Sequence, residues 1–274
     1  MSINPIHKIL NKDIASANAP QYRMSISVRI DGLSLLILHE NDIVLAHNYH
    51  WHNADWKTCA ANIQNIINAN SFFTFSYKSV DVFMENQQTM LIPNELFNDY
   101  AKQGILNEYI ASDEFVAMAN KLKSESAHLV FGVQKDLSIM LKKSLPKAKY
   151  HHSSAQFIDN VLNTKDSSKV VSLIVKTSFF ESIASIGNKL LAHNFFNYKS
   201  KDEFMFLLLS FINQQGFDAK DIKLVLCDDL IKTSPIAKEL ALFFNNIKEY
   251  NRKNTNEKEV VFTTLKNNTI VANS

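Results

Sequence analysis

The stretch that decides the fold is YRMSISVRIDG, residues 22–32. Its apolar residues alternate with polar ones, which is the pattern of a strand that keeps one face in water. These apolar residues are Met24, Ile26, Val28 and Ile30. Asp31-Gly32 follows, and such a pair between two strand-like runs is typical of a β-hairpin. We therefore predict a hairpin with its second strand at residues 33–40, and a third strand at residues 43–51.

The order of these elements occurs twice along the chain. Residues 55–70 have helical spacing of apolar residues and residues 80–84 return to strand character, so the first set is β-β-β-α-β. After a polar break at residues 163–168 comes a second set with the same order. It comprises strands at 170–176, 178–185 and 189–195, a helix at 201–215 ending at Gly216, a strand at 222–227 and a helix from Pro235. The letters LAHN occur in the third strand of both sets, at residues 45–48 and 191–194, so we predict an internal duplication.

The other segments complete the predicted organisation. Residues 1–20 have no sustained periodicity and are interpreted as a lead-in to a first domain of residues 1–165, which a second domain of residues 166–274 follows. Between the two sets the sequence predicts a strand at 128–133 and several helices. The helices are predicted at 94–102, 114–124, 135–143 and 155–162.

A meander of three strands followed by a helix and a parallel strand, present twice, resembles the duplicated ribonuclease-H-like lobes of the actin and sugar-kinase superfamily. The chain more closely resembles a Bacteroidetes family of unknown function, domain of unknown function 3822, described as having an actin-like ATPase fold. The residues that carry this resemblance are SISVRIDG at 25–32, LIPNELF at 91–97 and NFFNYKSKDEF at 194–204. The resemblance implies an α/β protein of two lobes, each a mixed five-stranded sheet with flanking helices, and a cleft between the lobes.

The same resemblance implies where a nucleotide would bind. Actin-like ATPases hold phosphates on the first hairpin of each lobe, where a carboxylate works through Mg²⁺ and glycines let backbone N–H groups approach. The first hairpin offers Asp31, Gly32 and Ser34, although a tight turn alone also explains Asp31-Gly32. The second hairpin, KTSFF at residues 176–180, has neither a carboxylate nor a glycine. Where the resemblance places a glycine pair for adenosine, this chain has Asp228-Asp229.

Composition agrees with a loss of phosphate chemistry. The chain has 5 glycines in 274 residues, against roughly 19 at average usage, which leaves little backbone for phosphate loops. A formal net charge of +2 favours no polyanionic partner. The basic run KKSLPKAKY at residues 142–150 is interpreted as a solvated helix end, with nucleic-acid binding as a minor alternative.

Histidines and cysteines predict no catalytic or metal site. His50 and His52 share a face of the third strand if it continues, but two imidazoles do not complete a metal site, and Asp55 is the nearest acid in sequence. Cys59 and Cys227 are predicted to be reduced core thiols. The N-terminal residues lack the pattern of a secretory signal and no apolar run approaches a membrane span, so we predict a cytoplasmic protein.

These observations predict a non-catalytic protein-interaction or scaffolding protein, with no catalytic residues, metal or cofactor. Its partner is another protein or a second copy, and Phe195, Phe196 and Tyr198 are the candidate interface because they cannot all point inward from one strand. The alternative is a nucleotide-binding protein or weak ATPase that uses ATP with Mg²⁺ in the cleft between lobes. If the chain is an enzyme, its reaction is ATP-dependent phosphoryl transfer or hydrolysis.

Overall fold

The predicted hairpin forms the start of a six-stranded sheet. The structure is a computed structural model that describes residues 3–11, 14–52, 55–123, 127–163, 167–227 and 235–249. Residues 3–122 and 127–157 of this part form one compact unit, and residues 158–249 form most of a second. The elements of the first unit are β1 (His7–Leu10), β2 (Tyr22–Arg29), β3 (Gly32–His39), β4 (Asp42–His50), α1 (Trp56–Ala69), β5 (Ser79–Met84), β6 (Thr89–Pro93), α2 (Lys102–Ile110), β7 (Phe115–Lys121), β8 (Ala127–Gln134), α3 (Lys135–Ser144) and β9 (Lys149–His152).

The second unit repeats this plan in fewer residues. The helix α4 (Ser153–Leu162) leads into it, and its further elements are β10 (Lys169–Val175), β11 (Phe179–Ile186), β12 (Lys189–Asn197), α5 (Lys201–Gln214), β13 (Lys223–Leu226), α6 (Pro235–Phe243) and β14 (Asn246–Glu249). Gly216 follows α5 with φ of 69°, the left-handed conformation predicted for it. The predicted boundary at residue 165 lies outside the described residues.

The order of strands confirms the predicted duplication. The first sheet has the order β1-β4-β3-β2-β5-β9 and the second β12-β11-β10-β13-β14, so the two orders agree once β1 is set aside. In both sheets the hairpin pairs are antiparallel and the last two strands are parallel to the first strand of the meander. The protein is therefore α/β, with two mixed sheets of the predicted type.

The strand β1 is an addition to the predicted lead-in. It pairs antiparallel with β4, and Ile9 is its only residue that is not exposed. Since such a strand has no buried face, residues 7–10 carry no alternation for a sequence pattern to detect.

Each meander packs one face against two helices. In the first unit α1 and α3 cover the sheet with Cys59, Ile63, Leu137 and Leu141, all fully buried. In the second unit α5 and α6 do the same with residues at the predicted helical spacing. These residues are Phe204, Leu208, Phe211, Ile212, Ile236 and Leu240.

A small antiparallel sheet of order β6-β8-β7 lies between β5 and α3 in the sequence, and here two predictions were wrong. The helix predicted at 94–102 begins only at Lys102, and the helix predicted at 114–124 is the strand β7. β7 buries Phe115 and Ala117 on one face, and pairing with β8 overrides the helix preference of its alanines and methionine.

The repeated letters LAHN do not occupy equivalent positions. His47 contacts Tyr49 and Phe72 on the face that packs against α1. His193 instead contacts Glu181 and Phe195 on the face opposite α5. A shift of one residue exchanges the two faces of a strand, so the two LAHN segments are one position out of register. The duplication itself rests on the order of strands and not on these letters.

Candidate functional site

Five polar side chains of the first unit gather where β2 and β4 end and β3 begins. We call Arg29, Asp31, Ser34, Asn48 and His50 the hairpin cluster. Arg29 and Ser34 belong to the paired strands β2 and β3, and Ser34 lies directly opposite Asn48 of β4. Because every second residue of a strand shares a face, Arg29, Ser34, Asn48 and His50 all lie on the face away from α1.

Arg29 is the centre of the hairpin cluster. Its guanidinium donates to the Ser34 hydroxyl at 3.1 Å and to Asn48 Oδ1 at 3.3 Å. Its Nε lies 3.6 Å from the Asp31 carboxylate. The side chain keeps 27% of its surface exposed, so the guanidinium is held by the protein and still reaches water. Sequence reasoning missed Arg29 and Asn48, because neither belongs to a motif and only strand pairing brings them together.

Ser34 is buried within this network. Only 5% of its surface is exposed, and its hydroxyl donates to Asn48 Oδ1 at 2.9 Å while it accepts from Arg29. A hydroxyl engaged in this way has its hydrogen-bonding capacity largely filled by the protein. Ser34 and Asp31 thus both contact Arg29, and the Ser34 hydroxyl is directed to Arg29 and Asn48.

Asp31 occupies the turn, with its backbone and side chain in different roles. Its carbonyl accepts from the Trp51 N–H at 2.9 Å. Its carboxylate lies 3.8 Å from His50 Nδ1 in addition to Arg29, and remains 45% exposed. Of the three residues predicted for nucleotide, Asp31 alone has a side chain that meets solvent.

Gly32 is required by close packing rather than by the turn. The positive-φ residues in the described part of the chain are Glu40, Ala111, Gly187 and Gly216, so Gly32 does not use the left-handed conformation. The turn falls on residues 30 and 31, one position before the predicted Asp31-Gly32 pair. A Cβ at Gly32 would lie 2.5 Å from the Tyr49 carbonyl oxygen and 2.7 Å from an Arg29 guanidinium nitrogen. The hairpin was correctly predicted, but its glycine makes room for β4 and Arg29.

The second hairpin carries a carboxylate that the sequence analysis missed. Its loop, residues 176–178, has no carboxylate or glycine, but Glu181 on β11 lies 2.8 Å from His193 on β12. Their side chains are 8% and 4% exposed. A glutamate within an apolar strand was the available signal. The Glu181 carboxylate is therefore directed to His193 of the same chain and not to a ligand.

A large aromatic residue closes each hairpin loop in the same way. In the first unit the Trp51 indole N–H donates to the Ile30 carbonyl at 2.8 Å, beside its backbone bond to Asp31. In the second, the Tyr198 hydroxyl donates to the Lys176 carbonyl at 2.5 Å and the Tyr198 N–H to the Ser178 carbonyl at 3.0 Å. Trp51 and Tyr198 each come directly after the third strand, so they are equivalent residues of the duplication.

Replacing Tyr198 with phenylalanine tests this closure. The ring contacts with Phe180 and Phe204 remain possible, while the bond to the Lys176 carbonyl is lost. We expect the free energy of unfolding of the second unit to fall by about 1 kcal/mol. Tyr100→Phe is the control, because Tyr100 is 97% exposed and should change stability negligibly. Equal urea midpoints for the two variants would contradict the closure.

The remaining predicted site residues are placed as follows. Phe196 and Tyr198 pack against the second core, whereas Phe195 lies on the opposite face beside Phe179 and His193. Asp228 and Asp229 lie outside the described residues. Cys59 is buried, its thiol donates to the Arg29 carbonyl, and burial raises its pKa to about 12.

The histidines near the third strand form no larger group. The rings of His50 and His52 lie 5.7 Å apart in an edge-on arrangement. Across the described ranges, no three His, Cys, Asp or Glu side chains are placed to hold a metal ion. His151 Nε2 instead lies 2.9 Å from the fully buried Asp81, which also accepts from the Ser79 hydroxyl. None of the described helices is both long and apolar enough to span a membrane.

Comparison with known proteins supports the fold. A family model described as "Protein of unknown function (DUF3822)" matches residues 11–247. A solved protein from Bacteroides thetaiotaomicron VPI-5482, described as having an actin-like ATPase fold and unknown function, aligns with a TM-score of 0.79 at 21% identity, over 92% of this chain and 99% of that one. The PilM-PilN type IV pilus biogenesis complex aligns with a TM-score of 0.55 at 11% identity, over 90% of this chain and 98% of that one. No curated protein matches this chain. At these identities the likeness shows the fold alone, and the predicted actin-like ATPase fold is confirmed.

Proposed function

Because this chain belongs to the family described as "Protein of unknown function (DUF3822)" and has the actin-like ATPase fold, we propose that it is a non-catalytic protein-interaction protein. It keeps the architecture of the fold and has lost the phosphate chemistry. The observation that carries this proposal is the state of the two hairpins, since each candidate phosphate loop is engaged by the protein's own side chains.

In the first hairpin, the guanidinium of Arg29 occupies the side chains that would bind a ligand. The Arg29 guanidinium holds the Ser34 hydroxyl and the Asp31 carboxylate, the two groups that would serve phosphate and Mg²⁺. Gly32 provides no open backbone, because the Tyr49 carbonyl packs against it. Binding MgATP here would require Arg29 to give up its hydrogen bonds to Ser34 and Asn48 and its charge pair with Asp31, which costs more than binding at a preorganised site.

In the second hairpin, Tyr198 donates to the carbonyls of Lys176 and Ser178, two of the three residues of the loop. The Glu181 carboxylate is paired with His193 below the loop. Magnesium-assisted phosphoryl transfer depends on carboxylates and backbone donors that converge on the ligand, and the loop of residues 176–178 has no carboxylate and no glycine.

An interaction role follows from what the fold retains. The PilM-PilN structure, which this chain resembles in fold, is described as a complex of two proteins. Phe195 is half-buried on the face away from the second core, where aromatic residues favour protein contacts. These observations support protein binding as the retained activity.

Nucleotide binding through Asp31, Gly32 and Ser34, with ATP and Mg²⁺, is the second candidate. The exposed part of the Asp31 carboxylate favours it, because Mg²⁺ prefers carboxylate oxygens. This reading requires Arg29 to turn from Ser34 toward a ligand phosphate.

Affinity capture from native lysate tests the interaction role. The immobilised wild-type chain should retain a protein in near-equal amount, and Phe195→Ser should lose it. Phe206→Ser is the matched control, because Phe206 is 70% exposed on α5 and should leave capture unchanged. A wild-type chain that remains alone in this experiment and monomeric in solution contradicts the proposal.

A further inference from the structure

The strand β12 forms an edge of the second sheet, whereas its equivalent β4 does not. In the first sheet β1 pairs with β4 in antiparallel register, from His7 opposite Asn48 to Leu10 opposite Leu45. Within the described residues, no strand occupies the corresponding place beside β12. Among the described residues, the second unit therefore has no counterpart of the strand that covers this edge in the first unit.

The hydrogen bonds of β12 identify the groups at this edge. Tyr198 bonds to Ser178 across the hairpin, and antiparallel pairs alternate between bonded and non-bonded. Phe196 and Asn194 therefore bond to β11, while His193 and Phe195 direct their N–H and C=O groups to the open edge. The Phe195 N–H accordingly bonds to the Asn194 side-chain oxygen, 2.9 Å away. Asn194 thus takes the place of a carbonyl that a further strand would supply.

We propose that two copies of this chain pair through β12, antiparallel about a two-fold axis beside Asn194. His193 of each copy then lies opposite Phe195 of the other, and each such pair exchanges N–H···O bonds. Asn194 faces Asn194 of the second copy on the axis. The second sheets of the two copies then form one continuous sheet. The two β12 strands pair antiparallel, as β1 pairs with β4 in the first unit. This inference rests on the proposed interaction function and names a second copy as one partner.

The sequence of β12 is suited to a copy of itself. The pairing places an imidazole opposite a phenyl ring twice, and aromatic cross-strand pairs stabilise sheets. Within one chain the same two side chains already contact edge-on, with ring centroids 5.3 Å apart. The one charged residue of β12, Lys189, lies at its start, so no like charges face each other in the centre.

Exposed edges are usually protected by lysine, proline or a bulge. In β12, Lys189 and the register shift opposite Ala184 and Ser185 protect only the first half of the strand. From Ala192 onward the strand has no such residue. A pair this short buries less than the ~1,200 Å² of a stable complex, so we expect a reversible dimer with a dissociation constant on the order of 10 μM.

Charge at the axis gives a sharp test. Asn194 is exposed, so Asn194→Lys places two ammonium groups face to face only in the dimer. By sedimentation velocity from about 1 to about 300 μM, the wild type should dimerise and Asn194→Lys should remain monomeric, with at least a tenfold weaker association. An equimolar mixture of Asn194→Lys and Asn194→Glu should dimerise again, which also shows that both variants fold.

Asn213→Lys is the matched control, because Asn213 is an exposed asparagine on α5 of the same unit. It should dimerise like the wild type. A wild-type chain that is monomeric throughout the range, or a dimer that Asn194→Lys leaves intact, overturns the pairing. Either result would exclude the dimer alone. The proposed function would fail in different experiments, namely if the chain bound nucleotide or captured no other protein.

Discussion

Gly32→Ala is expected to lower the free energy of unfolding of the first unit by about 3 kcal/mol, at the upper end of overpacking in a well-packed site. The added Cβ would lie 2.5 Å from the Tyr49 carbonyl oxygen, a backbone atom held in the pairing of β3 with β4. It would also press on Arg29, so the hairpin cluster should open. Urea unfolding followed by the fluorescence of Trp51 and Trp56 measures the loss.

Gly104→Ala is the matched control, because a Cβ there meets nothing within 4 Å. Gly104 lies in α2, where alanine is preferred to glycine, so this variant should be more stable by about 0.5–1 kcal/mol. If Gly32→Ala proves as stable as the wild type, Tyr49 and β4 are not packed against the hairpin as described.

His47 is expected to make the first unit sensitive to mild acid. Burial, with a smaller effect of Lys8, lowers its pKa from 6.5 to about 4. The folded state therefore favours neutral His47, and its contribution is complete above pH 6.5 and is lost as the pH falls toward 4. At 1.36 kcal/mol per pKa unit, the loss at pH 4 is about 3 kcal/mol.

A comparison of variants isolates this contribution from that of the carboxylates. His47→Phe keeps ring contacts with Tyr49 and Phe72 and removes the titrating group. Between pH 7 and pH 4, its stability should decline by about 3 kcal/mol less than that of the wild type. His52→Phe replaces an exposed histidine and should follow the wild-type curve. Parallel curves for all three proteins would mean that His47 titrates normally.

Alternation and helical spacing were sufficient for the longer strands and helices, although β2 buries both faces rather than keeping one in water, since Ser25 and Ser27 are also buried. They predicted β2, β3, β4, α1 and the second unit through α6, because each of these has a continuous apolar side. They were insufficient for β1, β6, β9 and β14, which are only four or five residues long. The equally short β13 was found because its apolar run continues from Ile222. β7 was misassigned for a different reason, since its small residues suit a helix until pairing with β8 decides otherwise.

The candidate site was only partly accessible from sequence. Asp31, Gly32 and Ser34 are close in sequence and were found together. Arg29 and Asn48 are 19 residues apart and meet only through pairing of three strands. The pair Glu181 and His193 depends in the same way on the register of β11 and β12. Sequence motifs thus located the first hairpin, whereas the side chains that contact its polar groups are known only from the tertiary structure.

We expect that neither hairpin serves as a phosphate clamp. Isothermal titration calorimetry of the full chain with ATP and excess Mg²⁺ tests it directly, with Asp31→Ala as the site variant and Asp42→Ala as an exposed acid in the same unit for control. We expect no saturable heat for any of the three proteins up to about 1 mM nucleotide. Micromolar binding by the wild type and Asp42→Ala that Asp31→Ala abolishes would contradict it and establish the nucleotide site.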